Sequence, residues 1–265
     1  MVTTNLNRKK QGNFMTDPAE TVLITGVSSG IGKALAVYFK EKGVRVIGVS
    51  RRQPEINVDL WICADLTAEE GREKIYQETL KFTGGSLNLL LNNAGVGIYS
   101  TWEEMQEEDL RKTMELDFFA VVLLTRKMLP LLKNARKASV INISSSASRI
   151  WVPCMGAYCA AKAAVSMFTN SLRPELSAYG IHVGDVMPGQ ISTGFSSRSF
   201  GSRRPPNAPG AKNNASGLAA AVYRVWRRRK KTLFYPGWLG AGMFFIRNFI
   251  PGIYDAVNCR LWKLR

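Results

Sequence analysis

Apolar residues in this chain follow two patterns: short unbroken runs, and longer stretches in which they recur with a helical period. Thr21–Thr25 is a β-branched run that enters a glycine turn. Ile31–Lys42 then reads as a helix, with Leu35, Val37, Tyr38 and Phe39 on or near its buried face. Val44–Val49, Leu60–Cys63, Leu87–Leu91, Ser139–Ile143 and Gly180–Val186 read as further strands. Between them a helix opens at Thr67 as N-cap, with Glu69, Glu70 and Glu73 near its start. A long helix runs over Asp109–Leu132, ending near Pro130, and another lies within Pro153–Tyr179. Strands that are apolar throughout, each followed by a helix, predict a parallel sheet covered on both faces: a doubly wound, Rossmann-type α/β fold.

Composition narrows this picture. The chain has 265 residues, 46% of them hydrophobic and 21% charged, enough to bury a sizeable core and too apolar for a disordered chain. Cys63, Cys154, Cys159 and Cys259 form no CxxC, which argues against a disulfide scaffold or a cysteine-rich zinc site. His182 is the single histidine, so a histidine-centred metal cluster or a Ser-His-Asp triad is not expected.

Charge is unevenly distributed. Of the formal +16, the segment from Gly194 to Arg265 carries 14 Lys/Arg against one acid, Asp255. A nearly neutral body thus bears a basic C-terminal quarter, which points to an anionic surface or ligand. No nucleic-acid recognition motif accompanies it. Residues 1–19 are expected to be a flexible tail without the apolar core of a signal peptide, residues 20–236 the main domain, and residues 237–265 a basic, apolar extension. A cytoplasmic location, with contact at a membrane surface as an open alternative, is the expectation.

The turn Thr25-Gly26-Val27-Ser28-Ser29-Gly30-Ile31-Gly32 lies between the first strand and the first helix. Glycines there let backbone approach a phosphate, and the helix N-terminus offers free N–H groups and a positive dipole end. The context predicts dinucleotide binding. The second strand ends in Val49-Ser50-Arg51-Arg52, with no acid before Glu55. An acid at that point holds a ribose 2′-hydroxyl, whereas Arg51 offers donors to a 2′-phosphate, which favours NADP(H).

With these motifs the chain resembles the short-chain dehydrogenase/reductase family. After TGxxxGxG at Thr25–Gly32 come Asn92-Asn93-Ala94-Gly95, Ser145, Tyr158-xxx-Lys162, and Pro188-Gly189 with Thr193, in family order and spacing. The resemblance covers about Thr21 to Pro236. It implies that Gly26, Ser28, Ser29, Gly30, Ile31 and Gly32 contact the cofactor phosphates and adenosine ribose, and that Arg51 takes the 2′-phosphate. Asp65 and Leu66 would lie at the adenine, and Asn92, Ala94 and Gly95 along the cleft. Lys162 would hold the nicotinamide ribose, with Tyr158 beside it, and Pro188, Gly189, Ile191 and Thr193 the nicotinamide end. It also implies a homo-oligomer.

The implied chemistry interconverts an alcohol and a carbonyl by hydride transfer. Tyr158 would be the general acid or base, and Ser145 would hydrogen-bond the developing oxyanion. Ser144 and Ser146 flank it, and family spacing alone selects Ser145. Lys162 lies one helical turn from Tyr158, and a nearby ammonium is expected to lower the phenol's pKa. One position departs from the family: Asp117 stands where an asparagine helps hold a proton-relay water. Two readings stand. Asp117 pairs with Lys162 and blunts its effect on Tyr158, or it holds the same water as an acceptor. A non-catalytic NADP(H)-binding regulator or scaffold is the alternative function.

His182 reads as structural or surface, and Cys154 and Cys159 as inert thiols near the substrate side. Trp151, Val152, Met155 and Phe195 would suit an apolar lipid-like, steroid-like or aromatic ketone, or simple packing. Residues 194–216, rich in Ser, Pro, Gly and Asn with Arg198, Arg203 and Arg204, read as a mobile substrate lid with exposed cations. Leu233–Ile246 is a charge-free stretch of 14 residues, short of the ~18–20 that span a bilayer. Five consecutive cations, Arg227–Lys231, precede it, and about 29 residues follow the usual family end near Pro236. Three readings stand for this extension, one of them a bilayer span. In the other two it packs on a neighbouring subunit, or it contacts an anionic membrane, the cations meeting headgroups while Trp238, Phe244, Phe245 and Trp262 enter the interface.

Overall fold

The computed structural model describes residues 20–204 and 213–263. Seven parallel strands form one sheet: β1 (Thr21–Thr25), β2 (Arg45–Ser50), β3 (Leu60–Cys63), β4 (Leu89–Asn92), β5 (Ser139–Ile143), β6 (His182–Pro188) and β7 (Thr232–Tyr235). Their spatial order is β3-β2-β1-β4-β5-β6-β7, so the strand order reverses between β1 and β4. Ligands of open α/β sheets bind at such a switch point, outside the carboxyl ends of the strands. The doubly wound expectation therefore holds. β7 was not among the expected strands: Thr232-Leu233-Phe234-Tyr235 is only partly buried, and it is fixed by its pairing with Asp185–Pro188 of β6.

Helices cover both faces because β1, β4, β5 and β6 are buried on both sides. On one face lie α1 (Gly30–Glu41) and α6 (Ala215–Arg227), joined by Phe39 stacking on Trp226 at 5.5 Å. On the other lie α2 (Glu69–Thr83), α4 (Ala120–Lys133) and α5 (Gly156–Ser177), around Leu23, Leu90, Leu124 and Val140. In α1 the buried side chains are Leu35, Ala36 and Phe39. Val37 faces outward, because it lies about 200° around the helix from Leu35.

Three expected features differ. The helix expected over Asp109–Leu132 is α3 (Glu107–Met114), a π turn over Glu115–Phe119, and α4. Pro130 lies inside α4, exposed, so the Arg126 carbonyl that loses its donor is left in solvent and the helix runs on to Lys133. Thr67 is not the N-cap of α2; Ala68 is, without a side-chain bond. The Asp65 carboxylate captures both the Thr67 N–H (2.9 Å) and its hydroxyl (2.8 Å), an Asx turn that competes with the cap.

The extension forms two helices, α7 (Gly237–Phe249) and α8 (Pro251–Leu261). No helix among the described residues is long and apolar enough to cross a membrane. α8 rests on the body of its own chain. The Tyr254 hydroxyl donates to the Trp151 carbonyl (2.7 Å), the Trp151 ring N–H donates to Asp255 (2.7 Å), and Trp262 stacks on Tyr99 at 6.4 Å.

Candidate active site

The end of β1 is tied to the end of β4 before any ligand is considered. The Thr25 hydroxyl oxygen accepts the N–H groups of Asn93 (2.9 Å) and Ala94 (3.0 Å), while the Asn93 amide donates to the Thr25 carbonyl (2.8 Å). This opens the glycine turn onto the switch point. A Cβ at Gly32 would lie 2.1 Å from the Gly26 carbonyl oxygen, and one at Gly26 would lie 3.0 Å from Ala94 Cα. Gly26 also has φ of +77°, a left-handed conformation in which glycine carries no steric penalty. At the start of α1, Ser29 is the N-cap but makes no side-chain capping bond. Its half-buried turn with Ser28, Gly30 and Ile31 leaves the helix end to a ligand.

Thr193 faces this turn: its Cβ would be 3.2 Å from a Cβ built on Gly30. Arg198 donates to the Thr193 carbonyl (3.1 Å), with the same nitrogen 3.7 Å from that Gly30 position. Arg198 thus brings a cation to the N-terminus of α1, a placement the sequence showed only as a charge in a loop. Pro188 ends β6, Gly189 donates to the Tyr235 carbonyl (2.8 Å), and Ile191 is buried. At the other end, Arg51 is exposed and lies 3.9 Å from Asp65, and Leu66 is buried against the core. Glu55, the nearest acid in sequence, is held by Lys33 at 2.7 Å.

Asn92 ends β4 and lines one cavity with Thr25, Leu66 and Ala94. Its side-chain amide is buried and donates to Thr125 (2.9 Å) and Asn142 (2.8 Å), joining β4 to α4 and β5. Ala94 and Gly95 remain at the cleft. The Asn92–Asn142–Thr169 chain of amides and hydroxyls was not apparent from sequence, because its members sit on three separate elements.

Among the three serines after β5, geometry separates what spacing alone could not. Ser144 turns inward and donates to the buried Asp185 carboxylate at 2.5 Å, whose other oxygen accepts from Ser166 at 2.6 Å. Ser145, the N-cap of a short 3-10 turn, accepts from the Ala147 N–H at 3.1 Å and donates to the Pro188 carbonyl at 3.5 Å. Asp185 anchors the strand end that carries Ser145.

Tyr158 and Lys162 are both buried on α5, and the Lys162 ammonium is 5.6 Å from the Tyr158 ring centre. Asp117 is fully buried in the π turn. One carboxylate oxygen accepts the Val96 N–H at 2.7 Å, and the other lies 3.1 Å from Lys162 Nζ, an ion-pair contact without a well-directed hydrogen bond. A Cβ at Gly95 would meet both partners, at 3.1 Å and 3.2 Å, so glycine there leaves room for the pair. Burial pushes the Asp117 carboxyl upward, opposed by Lys162 and the Val96 N–H. The expected lowering of the Tyr158 pKa is not what this site produces. Burial and then the Asp117 charge push the phenol upward, with only the Ser145 hydrogen bond pulling down. The contact that the pairing reading of Asp117 requires is present, with the carboxylate 3.1 Å from the lysine ammonium.

The surroundings of the Tyr158 ring are apolar and aromatic. Phe195 packs on Tyr158 with ring centres 5.7 Å apart, and Ile98, Ala147, Ala157 and Met155 complete the cluster. Cys154 and Cys159 are both pushed upward by burial, as inert thiols are. The lid cations are not free. Arg203 grips Glu104 at 2.8 and 3.0 Å, and Arg204 donates to the carbonyls of Ser196 and Ser199. Residues 205–212 of the expected lid and the tail over residues 1–19 lie outside the described residues. His182 is structural as expected: its Nε2 bonds the Lys230 carbonyl at 3.0 Å, and burial first, then Arg229 and Arg173, push its pKa down to about 4.

Such a cradle, with a buried Ser-Tyr-Lys set at the switch point of a parallel sheet, defines a dinucleotide-fold oxidoreductase. A short chain dehydrogenase profile matches residues 20–203, and the chain belongs to that family. It is 36% identical over 181 residues to a 3-ketodihydrosphingosine reductase of Bacteroides thetaiotaomicron, covering 66% of this chain and 65% of that one. It is 34% identical over 186 residues to an NADPH-dependent 1-acyldihydroxyacetone phosphate reductase of Schizosaccharomyces pombe, covering 68% and 62%. The matched region thus spans less than two thirds of these relatives' own lengths. An alignment with the dehydrogenase/reductase SDR family member 7B of Xenopus tropicalis, 27% identical, covers 94% of this chain and 87% of that one. It necessarily reaches into residues 237–265, so the extension is not wholly additional to the family. A short-chain dehydrogenase from Streptomyces avermitilis superposes with a TM-score of 0.75 at 28% identity, over 92% of this chain and 96% of that one. Another from Burkholderia cenocepacia, in complex with NADP, gives a TM-score of 0.76 at 23% identity, over 91% and 97%.

Proposed function

We propose that this chain is an NADPH-dependent reductase of an apolar, lipid-like ketone, with Tyr158 as general acid. The observation that carries this reading is the convergence of Ser145, Tyr158 and Lys162 beside a glycine turn that has no room for side chains. The cofactor fits: Gly26 and Gly32 let backbone approach a pyrophosphate, the uncapped start of α1 supplies N–H donors, and Arg198 stands over it. Arg51, exposed and with Glu55 diverted to Lys33, suits a 2′-phosphate. When bound, NADPH supplies the hydride.

The chain's own groups handle the proton and the oxygen. Ser145 donates to the carbonyl oxygen as negative charge develops there, and Tyr158 delivers the proton to the same oxygen. A buried phenol facing a carboxylate stays protonated through the physiological range, which suits reduction better than oxidation. Phe195, Ile98 and Met155 exclude water around Tyr158 and favour an apolar substrate. The two curated relatives described above are named as reductases, one of a sphingoid ketone and one of an acylated ketone, which supports the same substrate class. The place of action is the cytoplasm, in peripheral contact with a membrane surface.

One observation favours a second reading, an NADP(H)-binding regulatory protein: Lys162 is engaged by Asp117. A screen of long-chain 3-ketones and acylated ketones, read by NADPH absorbance, decides between them. Cofactor-dependent turnover supports the reductase; NADPH binding with no turnover on any carbonyl supports the regulator.

A further inference from the structure

A helix on the surface of a water-soluble domain turns its polar side outward. α8 does the opposite. Tyr254, Asn258 and Trp262, spaced i, i+4, i+8, form its inner stripe, and Tyr254 and Trp262 hold it to Trp151 and Tyr99. The stripe one position earlier, Ile253, Val257 and Leu261, is 51–55% exposed. α7 and the joint between the helices also expose Phe245 (56%), Phe249 (70%) and Ile250 (42%). Two charged groups of the extension are tied to the body: Asp255 accepts from the Trp151 ring, and Arg247 donates to the Arg149 carbonyl.

We propose that the outer face of the α7–α8 hairpin is a monotopic docking surface for an anionic phospholipid bilayer, and that it holds the substrate loops against that bilayer. The helices are 13 and 11 residues, about 20 and 16 Å at 1.5 Å per residue, so each lies in an interface and does not span it. Charge selects the partner. Residues 237–265 contain four cations and a single acid, Asp255, whose carboxylate is already bound. Arg260 and Lys263, at the end of α8, are exposed and meet headgroups. A second copy docked by a two-fold axis would set the same cations against each other with no acid to answer them.

The five-cation run is not part of this surface. Thr232 at the start of β7 pairs with Asp185, and the Lys230 and Lys231 carbonyls bond at His182 and Asp185, near the amino end of β6. The hairpin begins past the other end of β7, four residues and about 13 Å away. Trp262 also points inward, onto Tyr99, and the side chain of Trp238 lies outside the described residues. Docking therefore rests on Phe245, Phe249 and Ile253, not on Arg227–Lys231. The link to catalysis rests on the reductase reading: Trp151 and Tyr99, on which the hairpin sits, lie in the loops around Tyr158.

Vesicle co-sedimentation of the full chain tests this, using phosphatidylcholine alone and phosphatidylcholine with phosphatidylglycerol. Wild type is expected to pellet with the mixed vesicles. Phe245→Ser/Phe249→Ser/Ile253→Ser should lower partitioning at least tenfold with NADPH titration unchanged, and Phe249→Ser alone should lower it severalfold. Replacing all of Arg227–Lys231 with Gln should leave more than half the binding. Wild type remaining in the supernatant, or a triple variant that pellets like wild type, overturns the proposal. So does a stable dimer that the triple variant dissociates, since a second copy then covers this face. Loss of vesicle binding on replacing the five-cation run alone overturns it as well. Vesicle binding without any NADPH binding leaves docking standing and refutes the reductase reading.

Discussion

The glycine turn and the C-terminal hairpin both follow the carboxyl ends of strands of one sheet, β1 and β7, yet they are built in opposite ways. Around the turn, backbone is drawn in: Thr25, Asn93 and Ala94 are stitched together, and Gly32 has no space for a methyl group. On the hairpin, side chains are pushed out: Phe249 is 70% exposed while the polar atoms beneath it are satisfied. The first region recognises a ligand with N–H groups fixed by the fold, so it tolerates no change of shape. The second presents apolar area of no particular shape, so it depends on chemical character alone.

Four substitutions break or sharpen that contrast. The largest effect is expected from Gly32→Val, whose Cβ would lie 2.1 Å from the Gly26 carbonyl oxygen. NADPH affinity by fluorescence titration should fall at least tenfold, roughly 1.4 kcal/mol or more. As a control, an apolar enlargement on the hairpin, Val257→Leu, should leave it unchanged. Next, Arg51→Ala should reduce the preference for NADPH over NADH about tenfold, the value of one charge-assisted phosphate contact. An unchanged ratio removes Arg51 from the site.

Asp117→Asn acts on the proton. The carboxylate disfavours the phenolate, so its removal lowers the Tyr158 pKa. The alkaline limb of the pH–rate profile should move to lower pH, and alcohol oxidation should gain relative to reduction. A profile that does not move means the buried pair leaves Tyr158 untouched. The smallest effect is at His182. Its native pKa is about 4 against an ordinary 6.5, so between these values the unfolded chain binds a proton that the native chain does not. Stability should fall as pH drops through that window, and His182→Gln should flatten the slope of urea midpoints measured from pH 6.5 to 4.5.

The same contrast explains what could be read from sequence. The turn, the strands and the order of motifs were legible because each is local: Thr25–Gly32 encodes its own backbone, and Tyr158 and Lys162 share a face by helical spacing alone. Groups that meet across elements were not. The Asp185 that captures Ser144 is 41 residues away, and Asn92 is claimed by Thr125 and Asn142 on α4 and β5. Neither partner leaves a local signal. The π turn that carries Asp117 was hidden inside a helical pattern, and β7 exists only because β6 is there to pair with it. The hairpin's excess of apolar residues was visible, but which stripe of α8 faces the body was decided by Trp151 and Tyr99.

The most direct measurement follows NADPH absorbance for wild type and Tyr158→Phe with one long-chain ketone presented in mixed vesicles. The account predicts steady NADPH consumption with stoichiometric alcohol formation by wild type. In the phenylalanine variant, NADPH affinity should be unchanged and turnover about 10²–10⁴-fold lower, because a single transferable proton has been removed. Wild-type turnover in the variant, or NADPH bound by wild type and never consumed, would contradict it.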